Sequence, residues 1–260
     1  MKLADAFDIG VHEVISLTGG GGKTTLMFAL AKELVSEGRQ VITTTTTKLI
    51  ETEPLLHGSP LILIEKDGKR LGRLLPDELA KYCHVTIAGG KLPGPGKLNG
   101  IGRGTIDELA AMEIATLIIE ADGARHKPVK APSANEPVIP HSTTLVVPVI
   151  GMDALGAELT EEMVFRPEIV SQITGLKTGG VLTEEHIVTL IIHELGMAKG
   201  TPPGARIIPM LNKISPHNEA AGRTMARIIL GKKHPRIKKV VLGNVQDADP
   251  VIAVIMDSDL

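Results

Sequence analysis

Apolar residues in this chain fall into short, nearly unbroken runs, separated by stretches in which they recur every three or four positions. The runs Glu13–Leu17, Gln40–Thr44, Leu61–Glu65, Val85–Ala88, Thr116–Glu120, Thr144–Val149, Arg206–Leu211 and Lys238–Leu242 have the length and β-branched content of strands. In TLIIE, TLVVPVI and KKVVLG the apolar positions do not alternate with polar ones, the pattern of strands covered on both faces. Between the first two runs, Leu26, Met27, Leu30, Leu34 and Val35 share one face of a helix expected over Thr24 to Gly38. Farther on, Thr183 is placed to cap a helix with Glu184 and Glu185 in its first turn, Leu182 and Ile187 as a hydrophobic staple, and Gly196 as its end. Strand and helix alternate throughout, which predicts an α/β protein with a three-layer, doubly wound, mostly parallel sheet. No repeat or composition break divides the chain, so residues 1–260 are read as one domain. Two long loops interrupt it, 89–104 with Lys91, Lys97 and Arg103, and 122–142 with four prolines and Arg125, Lys127 and Lys130. Loops of that length are usually functional or disordered.

The junction of the first strand and helix reads Leu17-Thr18-Gly19-Gly20-Gly21-Gly22-Lys23-Thr24-Thr25. Glycines here let the backbone curl so that successive N–H groups from Gly19 to Gly22 face phosphate oxygens, and the helix N-terminus adds its partial positive charge. Lys23 would then lie against the β/γ-phosphates, the Thr24 hydroxyl would ligate Mg²⁺, and Thr25 would continue the cradle. Leu17 stands where the strict phosphate-loop pattern has its first glycine, and Thr18 where one variant carries an extra lysine.

Glu120 ends the run TLIIE, and Asp122 and Gly123 follow. Either carboxylate could hold Mg²⁺ through water or orient an attacking water, with the Gly123 N–H near the γ-phosphate. Five threonines, Thr43 to Thr47, precede Lys48. Threonine favours strands, yet in doubly wound sheets ligands meet the carboxyl ends of strands, so Thr45, Thr46 and Lys48 are either sheet or substrate contacts. Asn212-Lys213 closes a late strand as in the Asn-Lys-x-Asp motif that reads guanine, but Ser215 replaces the aspartate. Losing its charge-assisted bonds, worth about 1.5–3 kcal/mol, weakens a GTP assignment. Asn212 and Lys213 either flank the base or are turn residues, and ATP is the expected nucleotide with GTP as the other choice.

Composition narrows the partners. The only cysteine is Cys83, which excludes a disulfide framework and suits a reducing compartment. The N-terminus lacks a basic, apolar leader and no apolar run approaches about 18 residues, so a cytoplasmic protein without a membrane partner is expected. A net charge of −2 and 2% aromatics argue against nucleic acid. The nine histidines show no tight ligand spacing, and His186 and His193 are read as packing or surface residues.

The segments EADGARHKPVKAPSANEPVIP and VIGMDALGAELTEEMVFRPE, together with the glycine loop and LNK, resemble the YqeC-type proteins over about residues 13 to 245. That family comprises presumed accessory proteins of selenium-dependent molybdenum hydroxylases, also described as selenium cofactor biosynthesis proteins. The resemblance implies a P-loop NTPase of the branch that holds nickel-insertion GTPases and nitrogenase-reductase-like ATPases, with a role in maturing a molybdenum or selenium cofactor and a client molybdenum hydroxylase. On the residues themselves, the expectation is an Mg²⁺-dependent NTPase or kinase-like enzyme. Lys23 would neutralise phosphate charge, Thr24 and Glu120 would hold the metal, and Asp122 would position water or an acceptor hydroxyl. Arg125, Lys127 and Lys130 would contact an anionic small molecule or cofactor precursor. The rival is a nucleotide-switched chaperone or scaffold that hands a cofactor or metal to a client with little catalysis of its own.

Overall fold

The computed structural model describes residues 1–94 and 96–259. Its central sheet has ten strands: β1 Val14–Gly19, β2 Val41–Thr45, β3 Ile62–Ile64, β4 His84–Ala88, β5 Thr116–Glu120, β6 Leu145–Gly151, β7 Arg206–Ile207, β8 Met210–Asn212, β9 Lys239–Gly243 and β10 Val251–Met256. They lie in the order β10-β9-β8-β6-β1-β5-β2-β4-β3, with β7 also beside β6. Every pairing is parallel except β9 with β10. Each apolar run expected as a strand contributes to this sheet. The run at 206–211 does so as two pieces, because Pro209 has no N–H for the ladder. The antiparallel edge β10 was not anticipated, and its partly exposed face explains why its run is not a plain buried one.

Among the described residues, six helices of eight or more residues flank the sheet: α1 Lys23–Ser36, α2 Gly68–Tyr82, α3 Arg103–Ala110, α4 Pro167–Thr174, α5 Glu184–Ile192 and α6 Glu219–Gly231. Side chains alternate across each strand, so β1 and β6 send Ile15, Leu17, Val147 and Val149 to one face, where they meet Leu26, Leu30 and Leu34 of α1. On the opposite face, Val146 and Ile150 meet α5 and α6 through Ile187, Ile191, Met225 and Ile229. Farther along that face, Leu117 and Ile119 meet α2 and α3 through Leu71, Leu75 and Ile106. The result is three layers. Leu30 is fully buried, and truncating such a leucine to alanine costs about 2–5 kcal/mol, so α1 is held firmly under the segment that precedes it.

Three local expectations change. The helix capped at Thr183 stops at Ile192 rather than Gly196, because His193 turns extended and its ring accepts the Leu195 N–H at 3.1 Å. His186 closes the other end, its Nδ1 accepting the Thr183 N–H at 3.1 Å. Residues 89–104 are not a free loop: Gly90–Lys91 and Lys97–Asn99 form a hairpin that pairs with Lys48–Ile50, and α3 begins at Arg103. Pro95, inside that stretch, lies outside the described residues. Residues 122–142 are tethered as well, since Val129–Lys130 pairs in parallel with Val164–Phe165. Among the described residues no helix is long and apolar enough to cross a membrane.

Candidate functional site

Strand β1 is buried along its whole length at the centre of the sheet and ends at Gly19; α1 starts at Lys23. Only Gly20 to Gly22 turn the chain between them. Gly21 and Gly22 have φ of 70° and 116°, in the left-handed region that favours glycine. A Cβ on Gly21 would also run into the Gly151 backbone at the end of β6.

The N–H groups of this turn divide into two sets. Those of Gly19, Gly20 and Gly21 donate to Asp122 Oδ2 at 3.2 Å, the Val149 carbonyl at 2.9 Å and the Lys127 carbonyl at 3.0 Å. Those of Gly22, Lys23, Thr24 and Thr25 have no acceptor among the described residues. Of the cradle expected from Gly19 onward, the donors left open in this structure begin at Gly22, because β6 and the 122–130 segment lie against the first three glycines. Four N–H groups open at a helix N-terminus are donors of the kind an anion could accept from.

Lys23 is almost wholly buried, and its Nζ donates to the Gly19 carbonyl at 2.6 Å. It lies 3.2 Å from Asp122 Oδ1 and 3.6 Å from Glu120 Oε1. Burial alone would lower its pKa, but these two carboxylates outweigh that and the net direction is upward, so the ammonium stays charged. Thr24 donates through Oγ1 to Glu120 Oε2 at 2.8 Å. Register explains the meeting: Leu17 lies opposite Glu120 in the β1–β5 pair, so the carboxylate emerges beside the first turn of α1.

Asp122 sits elsewhere than expected. It is buried behind the glycine turn and does not line the cleft, a space of about 260 Å³ bordered by Gly22, Lys23, Thr24, Lys48, Glu120, Arg125 and Lys127. Its Oδ2 lies 3.1 Å from Lys130 Nζ. Lys130, expected at a substrate, is fully buried and is held also by Glu136 Oε2 at 2.8 Å and the Gly123 carbonyl at 2.9 Å. Arg166 closes the network on Glu136. Burial would raise the Glu136 pKa, but hydrogen bonds and charge from Arg166 and Lys130 hold it at about 2. Sequence reasoning attached no chemistry to Glu136 or Arg166, which stand 16 and 46 residues from Glu120 with no spacing that links them.

The remaining candidates separate in the same way. Thr45 is buried, donates to the Glu120 carbonyl at 2.8 Å and accepts the Thr47 N–H at 3.0 Å. The Thr46 N–H also donates to that carbonyl, at 3.1 Å. Both threonines tie β2 to β5, and of that run only Lys48 reaches the cleft. Arg125 borders the cleft with its guanidinium 5.0 Å from the Phe165 ring centre, and Lys127 Nζ donates to the Glu162 carbonyl at 2.6 Å. Asn212 uses both ends of its amide internally, Nδ2 donating to the Gly21 carbonyl at 2.7 Å and Oδ1 accepting the Val245 N–H at 3.0 Å. It braces the glycine turn. Lys213 projects partly into solvent, 2.6 Å from Asp153 Oδ2, and borders a small pocket of about 160 Å³ with Gly22, Thr25, Asn244 and Gln246. Among the described residues no group of three or more His, Cys, Asp or Glu could hold a metal by itself.

A mostly parallel sheet between two helical layers, with a glycine turn at its central strand, is a three-layer α/β fold of the P-loop NTPase kind. The chain belongs to the YqeC family: the family model described as YqeC protein matches residues 15–168. A relative from Escherichia coli (strain K12), titled "Uncharacterized protein YqeC", is 32% identical over 250 residues, covering 95% of this chain and 93% of its own. The matched range includes the glycine turn, Glu120, Asp122, Lys130, Glu136 and Arg166.

Proposed function

We propose that this protein is an Mg²⁺-dependent nucleoside-triphosphate-binding enzyme, an NTPase or kinase-like phosphotransferase, that assists maturation of a selenium or molybdenum cofactor. The observation that carries the reading is the set of open N–H groups from Gly22 to Thr25 beside a charged Lys23 and the Thr24–Glu120 pair. A triphosphate supplies the acceptors those donors lack. Thr24 and Glu120 suit Mg²⁺ by their chemistry: hard oxygen donors, one of them a carboxylate, beside a cleft where phosphate and water would complete the shell. When bound, the ion would draw charge from the phosphate oxygens. Lys23 neutralises developing phosphate charge, and Asp122 acts as a positioning residue through its contacts with Lys23 and the Gly19 N–H rather than by touching an acceptor. Lys48 and Arg125 give the cleft its cationic rim for an anionic second substrate. The cofactor role is what the sequence resemblance described above implies.

One observation favours the second reading, a nucleotide-switched chaperone that delivers a cofactor or metal to a client. Lys23, Asp122, Lys130, Glu136 and Arg166 form a continuous ionic chain from the glycine turn to Phe165, whose ring lies 4.4 Å from the Arg166 guanidinium. Such a chain could report nucleotide occupancy to the surface. Phosphate release from ATP and GTP, by wild type and Lys23→Ala, decides between the two. Turnover that Lys23→Ala abolishes supports the enzyme, whereas tight binding without turnover supports the switch.

A further inference from the structure

A second and larger cavity adjoins the cleft. This groove of about 640 Å³ opens between α1 and residues 56–60, and Thr25 and His57 line both spaces. On the α1 side of β2 and β4, Thr43 bonds His84 Nε2 at 3.0 Å and Thr86 Oγ1 at 2.7 Å, and Ser59 reaches Thr86 at 2.8 Å. These polar side chains satisfy one another, and through Thr43 they hold His84, which lines the groove. One wall is aromatic: Phe28 and His57 both line the groove, their rings stacked on each other at 5.0 Å with 6° between the planes. Tyr82 contributes a third ring, and among the described lining residues Lys32 is the one formally charged side chain and none is a carboxylate. Burial holds the His84 pKa at about 4, so that ring is neutral at physiological pH, with Nδ1 left to meet a ligand. The volume is that of sites that enclose small organic molecules, and an apolar lining with a few convergent polar groups is their usual character.

We propose that this groove binds a second small molecule, a planar ring system bearing an acidic group, with the ring beside the Phe28–His57 wall and the acid at Lys32. That this molecule is a second ligand rests on the nucleotide reading; the groove itself does not. Because Thr25 and His57 are shared, a molecule seated here lies next to whatever occupies the cleft, and the two are expected to bind together.

The test titrates full-length protein with 2-naphthoate, followed by ligand-observed NMR, with and without saturating Mg²⁺·ATP. Saturable binding that persists in Mg²⁺·ATP is expected. Ala29→Trp, which fills the groove from a half-buried position on α1, and Lys32→Glu, on the surface, should each weaken it at least about tenfold, a loss of about 1.4 kcal/mol. Uncharged 2-naphthol should be insensitive to Lys32→Glu. No saturable binding by wild type, unchanged affinity in both variants, or full displacement by Mg²⁺·ATP overturns the proposal. Binding of a fluorescent ATP analogue is measured separately; its absence, alongside intact 2-naphthoate binding, would count against the nucleotide reading and leave the groove standing.

Discussion

Replacing Asp122 with asparagine probes the network behind the glycine turn most sharply. Its carboxylate lies 3.2 Å from Lys23 Nζ and 3.1 Å from Lys130 Nζ, and all three side chains are buried. Asparagine keeps the shape and can still accept the Gly19 N–H, but it leaves two buried ammonium groups short of a counter-charge. Removing one partner of a buried ion pair costs about 3–5 kcal/mol. Here Lys23 retains Glu120 at 3.6 Å and Lys130 retains Glu136 at 2.8 Å, so the bottom of that range applies, about 3 kcal/mol. With a urea slope of about 3 kcal/mol/M for a chain of this size, the unfolding midpoint should fall by roughly 1 M. Adding Lys130→Met to Asp122→Asn should cost less than the two single changes summed, by about 1 kcal/mol or more, because the stranded cation is removed with its partner. A midpoint shift below about 0.2 M, or strict additivity of the pair, would refute the reasoning.

Asn212→Ala should destabilise by about 1–3 kcal/mol for each backbone group it strands, the Gly21 carbonyl and the Val245 N–H; a lower melting temperature in calorimetry checks this, and an unchanged one contradicts the bracing role. Glu136 has a folded pKa of about 2 against an ordinary 4.5, so its ionised form stabilises the fold fully above about pH 4.5, and that contribution disappears as pH falls toward about 2. The stability difference between wild type and Glu136→Gln, on the order of 2–3 kcal/mol near neutrality, should therefore shrink across that window, as urea melts at several pH values would record. Thr24→Ala should lower nucleotide affinity in Mg²⁺ and remove most of the difference between titrations with Mg²⁺ and with EDTA, since the hydroxyl is one of the two proposed metal ligands.

Much of the sheet was legible because buried parallel strands must be nearly continuous apolar runs, and TLIIE and KKVVLG can hardly be anything else. The glycine turn was legible for a related reason: four glycines before Lys-Thr-Thr have little use except in a strained, close-packed turn. Less visible were features made by pairing across sequence distance. The hairpin at 89–104 consists of two- and three-residue strands that exist only because Lys48–Ile50 lies beside them. Asp122 and Lys130 looked alike in sequence to Glu120 and Lys127, polar residues in and beside a cationic loop. Only burial distinguishes the pair inside the network from the pair that borders the cleft. Asn212 resembled a base-reading residue, and the bonds its amide makes to the Gly21 carbonyl and the Val245 N–H, which brace the turn, could not be read from the sequence.

Calorimetric titration of wild type and Lys23→Ala with ATP and with GTP in Mg²⁺ tests the central claim most directly. The expected result is saturable binding of at least one triphosphate by wild type, weakened about a hundredfold or more in the variant, equivalent to about 2.7 kcal/mol. Absence of heat and of saturation with both nucleotides in wild type, or equal affinity in Lys23→Ala, would contradict it.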